Sequence, residues 1–148
     1  MSLILLLFKM EIKIFDKLPK EAKLIRKLVF MKEQGFENEF DEIDNISKHI
    51  VLYKDSKAIG TCRIFYSNER NSYILGRLSI LKEHRGENYG LTILKAAEKE
   101  VKLQNYNKIE LSAQCRVADF YKKSDYKEIG EYYLDEGCPH TWMRKTFD

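Results

Sequence analysis

Tyr73-Ile-Leu-Gly-Arg-Leu-Ser-Ile-Leu81 and Lys82-Glu-His-Arg-Gly-Glu-Asn-Tyr-Gly90, followed by Leu91, Leu94, Ala97 and Val101 at helical spacing, decide how this chain folds. An apolar strand ends near Leu81, a loop carries Arg85 and Gly86, and a helix begins at Gly90. Backbone N–H groups at the start of a helix have no partner within it, and the macrodipole adds partial positive charge there. The spacing therefore predicts an anion site suited to a phosphate or pyrophosphate. Neither Gly-x-x-x-x-Gly-Lys-Ser/Thr nor Gly-x-Gly-x-x-Gly occurs, so a P-loop and a dinucleotide fingerprint are both excluded.

Around this stretch the chain alternates short strands with two helical patterns. Met10–Phe15 alternates apolar and charged residues, the period of a half-buried strand. Pro19 introduces a helix in which Leu24, Ile25, Leu28, Val29 and Lys32 follow a 3.6-residue rhythm, and Gly35 is a left-handed C-cap. Glu37, Glu39, Asp41, Glu42 and Asp44 make an acidic segment, which reads either as a solvated face or as a rim that attracts a cationic amine. His49–Tyr53 and Ala58–Tyr66 form a hairpin across Lys54-Asp-Ser-Lys57, and Tyr73–Leu81 continues the meander. Beyond the second helix come a strand at Lys108–Gln114, a helical stretch near Val117–Lys123 and a strand at Lys127–Leu134. A loop at Asp135–His140 and a last strand at Thr141–Phe147 complete the chain. The expected class is α/β, a mixed and mostly antiparallel sheet flanked by helices.

With 148 residues, one domain spanning 1–148 is expected, with residues 1–9 as an added or disordered extension. The 26 basic and 23 acidic residues leave a net charge of +3, too small to argue for nucleic acid or an anionic membrane. The apolar run Leu3–Phe8 is too short to span a bilayer. Cys62, Cys115 and Cys138 are widely spaced and odd in number, which suits reduced thiols and a cytoplasmic location. No paired ligand spacing for zinc occurs among these cysteines and His49, His84 and His140, so no metal is expected.

Arg85-Gly86-Glu87-Asn88-Tyr89-Gly90 resembles the Gln/Arg-x-x-Gly-x-Gly/Ala loop of GNAT acetyltransferases, with Asn88 where the family has its first glycine. Further motifs stand in the family's order. They are Val29-Phe-Met-Lys-Glu-Gln34, Asp41-Glu-Ile-Asp44, His49, Gly76-Arg77, Ala113-Gln114 ahead of Phe120-Tyr121, and Gly137-Cys-Pro-His-Thr-Trp-Met143. Together they are similar to the ElaA-like branch. Ser124-Asp125-Tyr126 departs from the family's small-residue, Gly, Phe sequence and puts Asp125 at a cap position that prefers glycine.

The resemblance implies a GNAT-like fold and an acetyl-CoA-dependent N-acetyltransferase that moves an acetyl group to an amine of a small molecule or peptide by direct attack on the thioester. Arg85, Gly86, Glu87, Asn88, Tyr89 and Gly90 would hold the coenzyme A diphosphate, and backbone around Leu78, Ser79 and Ile80 would hold the thioester carbonyl. Tyr121 would also contact the cofactor and is the candidate acid for the leaving thiolate, since a phenol and an alkyl thiol have similar ordinary pKa values. No carboxylate lies between Ser72 and Leu81, so the base stays open among Glu33, Asp41, Asp44 and His140, while Gln34, Asp41 and Asp44 are candidate acceptor contacts. A catalytically weak acyl-CoA-binding module of the same fold is the alternative. A homodimer through the edge of the last strand is a further expectation.

Overall fold

The computed structural model describes residues 9–147, so the extension expected at the N-terminus falls, up to residue 8, outside the described residues. Seven strands form one mixed sheet: β1 (Met10–Phe15), β2 (Lys48–Lys54), β3 (Lys57–Ser67), β4 (Ser72–Ile80), β5 (Lys108–Gln114), β6 (Lys127–Asp135) and β7 (Cys138–Thr146). Their order is β1-β2-β3-β4-β5-β7-β6, and only the β4–β5 pair is parallel. The helices are α1 (Lys20–Arg26), α2 (Tyr89–Leu103) and α3 (Ala118–Lys122).

Local chemistry explains the turns. Asp55 and Ser56 both have positive φ, the geometry of a tight two-residue hairpin between β2 and β3. Helix α1 starts after Pro19, then widens into a π-helical turn over Lys27–Glu33. Gly35 closes that turn at φ 77°, where its N–H reaches the Met31 carbonyl and that of Phe36 reaches Phe30, a Schellman-type stop. Asp125 sits at φ 72° after α3, the left-handed cap expected from its place in the sequence.

Three expectations change. The buried stripe of α1 and its continuation is Ala22, Ile25, Arg26, Val29 and Phe30, whereas Leu24 is exposed, so an arginine occupies a core position. The loop expected at Asp135–His140 is only a turn at Glu136-Gly137, and β7 already begins at Cys138. Pro139 is tolerated there because it lies near the start of the strand, beyond the last β5 partner, where one side of the backbone has no ladder to join. Finally, β7 pairs with β5 on one side and β6 on the other, so the last strand is internal and β6 is the edge.

The main core lies between the sheet and α2, with Ile50, Leu52, Ile59, Ile64, Leu75, Ile93, Leu94, Ala97, Val101, Ile109 and Leu111 among its buried members. Burying side chains of this size contributes about 1.5–3 kcal/mol each before entropy is counted. The same packing clamps β4 against the start of α2. A Cβ on Gly60 would lie 2.6 Å from Ile80 and 2.7 Å from Ile93, so β3 approaches both elements as closely as glycine allows.

Candidate active site

Strands β4 and β5 pair only from Tyr73 to Leu75, opposite Ile109 to Leu111. Just beyond, one residue on β3, Cys62, faces two on β4, Arg77 and Leu78, and Arg77 has φ 56°. This bulge bends β4 away from β5, and past Leu75 the β4 edge that faces β5 has no strand partner. A cleft of about 670 Å³ occupies the opening, with Gly76, Arg77 and Leu78 on one wall and Leu111 to Gln114 on the other. Exposed backbone at such a gap can pair with an extended ligand as an added strand would.

The loop after β4 supplies the second half of the site. Gly86 has φ 85° and Asn88 φ 63°, so Asn88 adopts the left-handed conformation that its amide side chain tolerates. Hydrogen bonds among the described residues include none donated by the backbone N–H groups of Gly86 to Leu91, which leaves them available at the start of α2. A Cβ built on Gly86 would meet nothing within 4 Å, so the loop is open above it. A cradle of free donors at a helix N-terminus fits a diphosphate. A Cβ on Gly90 would instead lie 3.3 Å from Phe120, and Phe120 stacks edge-on against Tyr121 at 5.0 Å. The loop itself does not line the cleft, but Gly90 packs it directly against the helix that carries Tyr121.

Tyr121 is buried and lines the cleft. Burial first, and the Cys62 thiol second, push its phenol well above the usual tyrosine range, so it holds its proton throughout the neutral range. Leu78 lines the cleft, while Ser79 is buried in β4 and the Ile80 carbonyl accepts from Arg85 Nε at 2.9 Å.

Other candidates land elsewhere. Glu33 is outside the cleft and grips Arg85 with two hydrogen bonds of 2.7 and 2.9 Å, which lower its carboxyl, so this pair braces the loop after β4 against the end of the helix. Asp44 is buried and bonded to Arg26 and Arg63, and Asp41 is held by Arg63 and Arg77. Their negative charge is therefore met by arginines and is not offered to an incoming amine. Glu39 joins the same cluster through Arg26 at 2.7 Å and Arg77 at 3.1 Å. Asp41 and Asp44 also cap the turn at Glu42–Asn45 reciprocally. Gln34 lines the cleft and accepts a hydrogen bond from Gln114 at 2.8 Å. His140 lies on β7, lines the cleft and is bonded through Nδ1 to the Cys138 carbonyl at 2.8 Å.

Arg26, Arg63 and Arg77 escaped the sequence reading as site-building residues. The helical rhythm read through Leu24, Ile25, Leu28, Val29 and Lys32 leaves Arg26 off its stripe, so no local signal marked it.

A seven-strand mixed sheet flanked by helices is the fold shared with acyl-CoA N-acyltransferases. Residues 19–147 match the acetyltransferase (GNAT) domain family, and the chain belongs to that family. It is 38% identical over 129 residues to YjcF of Bacillus subtilis, a protein named as an uncharacterized N-acetyltransferase; the match covers 85% of this chain and 91% of YjcF. The fold is shared with Escherichia coli ElaA (TM-score 0.81, 23% identity, 93% of this chain and 99% of that one). It is shared too with an aminoglycoside 6'-N-acetyltransferase solved in complex with coenzyme A (TM-score 0.71, 17% identity, 92% and 96%). Among the described residues, no helix is long and apolar enough to cross a membrane.

Proposed function

We propose that this protein is an acetyl-CoA-dependent N-acetyltransferase that acetylates an amine of a small molecule or peptide by direct attack on the thioester. The observation that carries the reading is the bulge at Arg77, which opens β4 from β5 and places Leu78 and the buried phenol of Tyr121 on one cleft. Acetyl-CoA, when bound, supplies an acetyl group activated as a thioester.

The backbone N–H groups of Gly86 to Gly90 would hold the diphosphate, and the unpaired edge of β4 around Leu78 would hold the extended arm and donate to the carbonyl. Donors set in place beforehand contribute about 3 kcal/mol in typical acyl-transfer sites. Burial keeps the Tyr121 hydroxyl protonated and also makes it a weaker acid than a free phenol, so it would hydrogen-bond the departing sulfur and pass its proton as negative charge builds there.

The test is release of free thiol when wild-type protein and acetyl-CoA are offered polyamines, amino acids, aminoglycosides and peptides. Tyr121→Phe is expected to slow release by about 10²-fold or more while leaving acetyl-CoA affinity within about twofold. No release with any amine would favour a binding module that has lost turnover.

A further inference from the structure

We infer that His140 is the general base of this site, with its tautomer fixed by the backbone so that Nε2 faces the acceptor amine as a free lone pair. The inference rests on the acetyltransferase reading and assigns a role that reading leaves open.

Three histidines exist, and their surroundings differ. His49 is buried and its Nε2 is bound at 2.9 Å to the Asp44 carbonyl, so the nitrogen is consumed inside the protein. His84 lies in the turn that leads to the cofactor loop and does not line this cleft. His140 alone lies on the cleft that also contains Tyr121.

Its chemistry follows from one contact. Nδ1 lies 2.8 Å from the Cys138 carbonyl oxygen. A carbonyl can only accept, so Nδ1 carries the hydrogen and the neutral ring has its lone pair on Nε2. Nε2 has no hydrogen-bond partner among the described residues. The only fully buried side-chain nitrogen or oxygen without a partner among them is Nε of Arg63, so Nε2 keeps some exposure on a ring that lines the cleft. The register supports the placement. His140 stands opposite Gln114 on β5 and Tyr133 on β6, so the three share one face of the sheet. Gln114 is tied to Gln34, Tyr133 meets the Ser112 hydroxyl, and the Tyr133 ring lies beside the imidazole at 5.9 Å. These ties hold the imidazole in a fixed row.

Four carboxylates line the same cleft. Glu39 and Asp41 are each held by two arginines, Glu136 accepts from Asn38 at 3.3 Å, and Asp135 is exposed at the end of β6, opposite Cys138 rather than His140.

In the proposed step the acceptor nitrogen forms its bond to the acetyl carbon as the carbon–sulfur bond breaks. The nitrogen loses one proton to His140 Nε2, and the sulfur takes the Tyr121 hydroxyl proton. The imidazolium proton then returns to the Tyr121 oxygen through solvent, so both side chains end as they began and the products are an amide and a free thiol.

Two measurements test this. In ¹⁵N-labelled wild-type protein at pH 8.5, long-range ¹H–¹⁵N correlation reads which ring nitrogen of His140 is protonated, with His140→Gln assigning the signal. A proton on Nδ1 is expected, and a proton on Nε2 would overturn the inference. In the second, His140→Ala is assayed for thiol release with spermidine, lysine, kanamycin and a short lysine peptide, with and without added imidazole. Its rate is expected to fall by about 10²-fold and to recover at least tenfold with imidazole, at an acetyl-CoA affinity unchanged by calorimetry. Full activity in His140→Ala, or a loss that imidazole does not relieve in a variant that still binds acetyl-CoA, would overturn the role of His140 alone. Absence of turnover in the wild type would instead sink the transferase reading on which it rests.

Discussion

Arg26 NH1 lies 2.7 Å from Asp44 Oδ1, and both side chains are almost wholly buried although Arg26 occupies an apolar-face position of its helix. Arg63 reaches the same oxygen at 2.9 Å. Burial raises the Asp44 carboxyl, but the hydrogen bonds and charges of Arg26 and Arg63 outweigh it and bring the group down to about 2. A carboxylate depressed on folding contributes stability above its unfolded value of about 3.9, and that contribution is lost as pH falls toward about 2. Glu39 runs the other way, since burial holds its carboxyl above its usual range.

Removing Asp44 leaves the buried Arg26 and Arg63 with one carboxylate each, Glu39 and Asp41, so Asp44→Ala is expected to cost about 3 kcal/mol, the low end for a broken buried pair. Urea unfolding at pH 7 checks the loss. Asp44→Asn should also flatten the fall in stability between about pH 4 and pH 2 relative to wild type, which isolates Asp44 from Glu39. An unchanged slope would contradict the assignment.

Asn88 holds φ 63° at the head of α2, where the family's pattern has glycine. Asn88→Gly is expected to keep acetyl-CoA affinity within about threefold, because both residues reach the left-handed region. Asn88→Val should lower it about tenfold or more, since a β-branched residue is strained there by about 1–3 kcal/mol. Titration calorimetry on the two variants separates a conformational requirement from a side-chain contact.

Glu33 is committed to Arg85 and does not line the cleft, so it is not placed to act as a base. Both side chains are partly exposed, and such pairs are worth about 0–1 kcal/mol. Glu33→Gln should therefore leave kcat within about threefold while raising KM for acetyl-CoA modestly, as the brace on the loop loosens. A loss of kcat near that expected for His140→Ala would reverse the two assignments.

Local signals in the chain reached far. Alternation placed β1, turn residues placed the β2–β3 hairpin, Gly35 marked a helix end, and Asn88 and Asp125 occupy the left-handed positions their neighbours imply. What the chain hid depends on residues distant in sequence. Glu39 and Asp44 lie 13 and 18 positions from Arg26, and no local pattern says that an acidic run will fold inward onto an arginine. The same run looked like a rim for a cationic amine because exposure, not composition, separates the two readings. His140 was misjudged as a loop residue because Pro139 signals a break, whereas its lack of an N–H costs nothing beyond the end of β5.

Calorimetric titration of acetyl-CoA into the wild-type chain and into Gly86→Val tests the central claim most directly, because Gly86 sits at φ 85° in the cradle of free N–H groups. A one-to-one heat of binding is expected for the wild type, with affinity reduced about tenfold or more in the variant, whose unfolding temperature falls only by the local backbone strain of about 1–3 kcal/mol. No heat with the wild type, or equal affinity in the variant, would contradict the account.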